Sequence, residues 1–116
     1  MVIGVLQVEL NIPGSENLKD KRRVVLSLKT KLHQEHMVSV AETGTLDSVR
    51  TATLGIVLAS TEVSVAQSVL GNVLRKINAH RDCFVSDSSV QFLTGISPDQ
   101  ETSFDDDQPE GGQEKA

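Results

Sequence analysis

Residues 2–12, Val2-Ile3-Gly4-Val5-Leu6-Gln7-Val8-Glu9-Leu10-Asn11-Ile12, alternate along most of their length. Leu6, Val8, Leu10 and Ile12 point to one side, and Gln7, Glu9 and Asn11 to the other. That is the period of a strand with one face on a core. Val2, Ile3 and Val5 make the first half apolar on both faces, as suits a central strand. Pro13-Gly14-Ser15 ends it, because proline removes a ladder donor and glycine admits turn geometry.

Beyond this turn the period changes. Over residues 18–36, Leu18, Val25, Leu28 and Leu32 recur at helical spacing with Val24 adjoining, which predicts one buried stripe. Asn17, with Asp20 three residues on, has the form of an N-terminal cap. On this pattern Lys21, Arg22 and Lys29 are expected off the stripe. Residues 37–43 read as a short strand with Val38 and Val40 on one face, and residues 44–50 as a polar connection. Residues 51–60 alternate again, with Ala52, Leu54, Ile56 and Leu58 on one side. The short link predicts that these two strands pair antiparallel. Gly55 suggests a bulge or a close neighbour. A second helix is expected over 62–79, capped at Thr61. Its wide apolar face comprises Val63, Ala66, Val69, Leu70, Val73, Leu74 and Ile77. Residues 83–94 hold the last strand.

The order βαββαβ predicts an α+β, ferredoxin-like sandwich: a four-stranded antiparallel sheet with two helices on one face. The other face is open, and Ile3, Val5 and Val57 are expected on it, which suggests self-association.

Composition agrees with one small domain. The 116 residues are 38% hydrophobic, with three Phe and neither Trp nor Tyr, so the core must be aliphatic. No apolar run approaches the roughly 20 residues that cross a bilayer. The opening residues lack a basic segment followed by an apolar one. The expectation is a cytoplasmic protein with no membrane partner. One cysteine excludes an internal disulfide.

Charge divides the chain. Residues 1–94, read as the domain, hold ten of the eleven Lys and Arg and nine of the sixteen acids. Residues 95–116 hold the remaining seven acids against Lys115, and are read as an acidic disordered tail. Asp105-Asp106-Asp107 could compete with an anionic ligand for the basic helix. Six cations fall between Lys19 and Lys31, and Lys19, Lys21, Arg22 and Arg23 open the first helix. Positive charge there opposes the helix dipole, so local stability does not account for it. Arg75, Lys76 and His80, near the end of the second helix, have a sufficient structural reason.

The sequence has no G-x-S-x-G elbow, phosphate loop or G-x-G-x-x-G, and is read as non-enzymatic with no cofactor and no metal. His33 and His36 are spaced as metal pairs can be but lack a completing set. Cys83 reads as a small buried hydrophobe. The expected chemistry is phosphate or RNA binding through Lys19, Lys21, Arg22 and Arg23. RNA stacking on the sheet is not expected, since no RNP-like aromatic run is present. The alternative is a homo-oligomerising interaction module with no nucleic-acid binding.

The run from Met1 to Leu10, then Ile12-Pro13-Gly14-Ser15 and Leu18-Lys19-Asp20-Lys21-Arg22-Arg23-Val24-Val25, resembles the YlxP-like family. Val38-Ser39-Val40-Ala41-Glu42 and Leu54-Gly55-Ile56 extend the likeness over roughly residues 1–93. The resemblance implies a bacterial ferredoxin-like domain forming dimers or larger homo-oligomers. It also implies genes beside those of transcription and translation factors and a ribosome-binding factor, hence an RNA or ribosomal-subunit partner without DNA specificity. Its Leu-Lys-x-Lys-Arg segment maps to Leu18, Lys19, Lys21 and Arg22, and Arg23 extends it. The family's usual Trp-Gln-Arg falls here at Val49, Arg50 and Thr51, and its Asp-Tyr at Asp87-Ser88. The two side chains best suited to stacking on a base are therefore missing.

Overall fold

A computed structural model describes residues 1–96; the expected tail falls almost entirely outside them. β1 (Val2–Asn11) is followed by α1 (Leu18–Glu35), β2 (Ser39–Gly44), β3 (Thr51–Ser60), α2 (Val63–Asn78) and β4 (Phe84–Leu93). The sheet order is β2-β3-β1-β4, with every neighbouring pair antiparallel. This is the ferredoxin-like arrangement that the element order predicts, with β1 central.

The alternation in β1 appears directly as burial. Leu6, Val8 and Leu10 are fully buried against the helices, whereas Gln7 and Glu9 are exposed on the opposite face. β3 repeats the pattern through Ala52, Leu54, Ile56 and Leu58. Leu28 and Leu32 from α1, and Ala66, Leu70, Val73 and Ile77 from α2, complete an aliphatic core. Gly4 lets α2 approach the sheet closely: a Cβ built there would lie 3.1 Å from Leu70 Cδ1 and 3.3 Å from the Ala66 Cβ. Gly55 has the expected close neighbour, since its Cβ would meet Thr43 Cγ2 at 3.0 Å.

Three local expectations are corrected. α2 is preceded by Glu62 in extended geometry without a side-chain cap, so Thr61 does not cap it. β2 starts at Ser39, two residues later than the alternation suggests. The third concerns Lys21, which belongs to the buried stripe of α1. It stands one turn before Val25 and two before Leu28, and is only 1% exposed.

Candidate nucleic-acid interface

α1 begins with a fixed turn. Ser15 N donates to Ile12 O at 3.1 Å, and Asn17 Oδ1 accepts from Asp20 N at 2.8 Å. Asp20 Oδ2 accepts from Glu16 N at 3.1 Å, so the carboxylate reinforces the cap and suits the positive end of the helix dipole. These contacts fix the directions in which residues 19–23 leave the helix.

The four cations of the motif then part company. Lys21 points inward. Its ammonium lies 2.9 Å from Glu42 Oε2 and donates to Thr45 O at 2.6 Å and Thr51 O at 3.2 Å. It ties α1 to β2 and to the loop before β3, and at 1% exposure it is out of reach of an outside phosphate. The physical reason is geometric: a lysine stem buries well along an apolar stripe when its head finds carbonyls and a carboxylate. The loop needs this anchor, because Thr45 adopts φ 58°, a left-handed conformation uncommon for threonine. Lys21 is therefore structural, a correction to its expected role on a phosphate.

Lys19, Arg22 and Arg23 are on the surface. Lys19 and Arg23 are four residues apart and share one side of the helix, while Arg22 and Lys29, seven apart, share another. The cluster thus forms two short rows. Arg23 is 71% exposed and only loosely paired, its guanidinium 3.9 Å from Asp20 Oδ1. Lys19 and Arg22 make no ion pair or side-chain hydrogen bond among the described residues.

The antiparallel register brings two further arginines to this end. Asn11 is opposite both Thr51 and Phe84, so the loop before β3 and the α2–β4 turn flank the start of α1. Arg50 Nε donates to Ser15 O at 2.9 Å and clamps the β1–α1 turn. Arg81 lines a cleft of about 500 Å³ together with Arg23, Asp20, Asp82, Pro13 and Val24. Sequence reading missed Arg81. The signal was its place in the turn after α2, which the βαββαβ order puts beside the start of α1.

The open sheet face is divided. Ile3 is opposite Ala59 and Leu93, and Val5 is opposite Val57, making one end apolar. Glu9 is opposite Asp87 at the other end. An open groove of about 650 Å³ adjoins the apolar end, lined by Met1, Ile3, Met37 and Val57 with His33 and His36. Among the described residues no group of three or more His, Cys, Asp or Glu is placed to hold a metal. Cys83 is buried, and burial, with Asp82 beside it, pushes its thiol pKa up. That disfavours the thiolate a nucleophile would need. Among the described residues no helix is long and apolar enough to cross a membrane.

The fold and this arrangement define a small ferredoxin-like domain. Residues 3–90 match the family described as "Protein of unknown function (DUF503)", and the chain belongs to that family. Its fold is similar to the solution NMR structure of a de novo designed protein with a ferredoxin fold, LFR1 1. The two share 12% identity with a TM-score of 0.45, over 87% of this chain and 93% of that one. No curated protein matches.

Proposed function

We propose that this chain is a small non-enzymatic cytoplasmic protein that associates with RNA or a ribosomal subunit through Lys19, Arg22 and Arg23. One observation carries the reading. These three cations crowd the N-terminal turns of a helix, where the dipole disfavours them, and among the described residues their only ion pair is the loose Arg23–Asp20 contact. A surface that keeps charge against its own local stability suits an anionic partner. The YlxP-like resemblance supports the same reading through its gene neighbourhood. Recognition would run through phosphates, because the helix that carries these cations has no phenylalanine, tyrosine or tryptophan on which a base could stack. The test is titration of fluorescent ribosomal RNA fragments at several salt concentrations. The triple alanine variant of Lys19, Arg22 and Arg23 should bind at least about tenfold more weakly, with a salt slope shallower by about two. Equal binding by wild type and variant would refute the assignment.

The apolar end of the sheet favours a second reading, a homo-oligomer, with a second copy of the chain as the occupant. Val57 and Leu93 are 40% and 52% exposed there without a covering element among the described residues. Two copies overlapping through these ends about a two-fold axis would keep their Glu9 and Asp87 carboxylates apart.

A further inference from the structure

We propose that the cleft between the β1–α1 and α2–β4 turns holds one nucleotide unit of a single-stranded RNA, with Arg23 and Arg81 on its phosphate and Asp82 on its ribose. The inference rests on the RNA reading above and adds a site, a residue from a second element, and a preference for RNA over DNA.

The cleft is built from three parts of the chain. Residues 12–15 supply one wall, Asp20, Arg23 and Val24 of α1 a second, and Arg81 and Asp82 a third. Its volume of about 500 Å³ lies in the range of small-ligand sites. Arg81 makes no ion pair among the described residues, and Arg23 has only the 3.9 Å contact with Asp20. Two guanidinium groups on one cleft from separate elements can share a phosphate, since each offers a planar fork of donors. Pro13 on the first wall and Val24 on the second give apolar surface against which a sugar can pack.

The two carboxylates differ. Asp20 is committed to the helix start, accepting from Glu16 N. Asp82 accepts no hydrogen bond among the described residues, while its backbone N–H is held by His80 Nδ1 at 3.2 Å. A carboxylate beside two phosphate-binding arginines would repel a bare phosphate. It becomes useful when the ligand carries a hydroxyl next to that phosphate, as a ribose 2′-OH does. The mixture of charge therefore points to a ribonucleotide rather than to an inorganic anion. The turn at Gly14 leaves the entrance open, as a side chain built there would meet nothing within 4 Å.

The experiment is fluorescence anisotropy of the full chain with a short labelled single-stranded RNA and the DNA of the same sequence. Arg81→Ala, Asp82→Asn and Arg22→Ala are compared with wild type. Arg81 and Asp82 are exposed turn residues, and a thermal melt of each variant checks that it folds before its binding is compared. Arg81→Ala should weaken RNA binding about tenfold and flatten the salt slope by about one. Asp82→Asn should reduce the RNA-to-DNA affinity ratio. Wild-type affinity in Arg81→Ala, with loss in Arg22→Ala, would overturn the cleft and leave the helix-surface reading standing. Equal affinity of wild type for RNA and DNA would overturn the role of Asp82. No RNA binding by wild type would overturn both the cleft and the function it rests on.

Discussion

The ammonium of Lys21 lies 2.9 Å from Glu42 Oε2, joining the first turn of α1 to β2 from inside the domain. A basic motif on a helix surface thus contains one cation that belongs to the core. The same ammonium holds the carbonyls of Thr45 and Thr51. Lys21→Met would keep much of the volume and strand a partly buried carboxylate and two carbonyls. It should cost about 3–5 kcal/mol of stability, against about 0.5 kcal/mol or less for Lys19→Met on the surface. Urea unfolding measures both. Similar small losses would show that the buried ion pair does not anchor the loop.

Gly4 sets the distance between α2 and the sheet. Gly4→Ala places a methyl 3.1 Å from Leu70 Cδ1 and 3.3 Å from Ala66 Cβ, and Ala66 cannot turn away. The expected destabilisation is about 1–3 kcal/mol, read from the denaturation midpoint. A neutral or stabilising result would mean that the helix shifts freely on the sheet.

Glu9 and Asp87 stand opposite each other on adjacent strands, both exposed. Like charges in that position destabilise a sheet. Glu9→Gln should therefore stabilise the protein by about 0.2–1 kcal/mol in low salt, with the gain shrinking as salt screens the pair. A loss of stability would give the carboxylate pair a favourable role that its surroundings do not show.

Burial, and secondarily Asp82, raises the Cys83 pKa above its ordinary value. A raised thiol pKa leaves less thiolate at neutral pH, so the native protein should react with a disulfide reagent more slowly than free cysteine at pH 7. The rate should keep climbing at pH values where free cysteine has levelled off. The linkage has a matching sign: the neutral thiol's contribution is complete below the unfolded-state pKa and fades as pH rises through the higher folded one. A native rate equal to that of free cysteine would contradict the burial.

The fold was legible because β1 and β3 alternate cleanly, and because the stripe of α1 and the wide face of α2 keep helical spacing. The pairing of β2 with β3 and the placing of Ile3, Val5 and Val57 on the open face came from that order. Lys21 was not legible as a core residue. Its position fits the stripe with Val25, Leu28 and Leu32, but a lysine is buried only where carbonyls and a carboxylate converge, and those come from residues 42–51, distant in sequence. Arg81 escaped for the same reason, since its neighbours Arg23 and Pro13 reach it only through the sheet register. The cap of α2 was misplaced because Thr61 is the better N-cap by residue type, whereas the backbone puts Glu62 at that position in extended geometry without a side-chain cap.

The most direct test of the proposed association is co-sedimentation of the full-length protein with ribosomal subunits at low and high salt. Wild type should travel with a subunit at low salt and be released at high salt. Alanine at Lys19, Arg22 and Arg23, with Lys21 kept to preserve the fold, should abolish the association. Failure of wild type to co-sediment at low salt, or undiminished co-sedimentation of the triple variant, would contradict the assignment of these cations to a ribosomal partner.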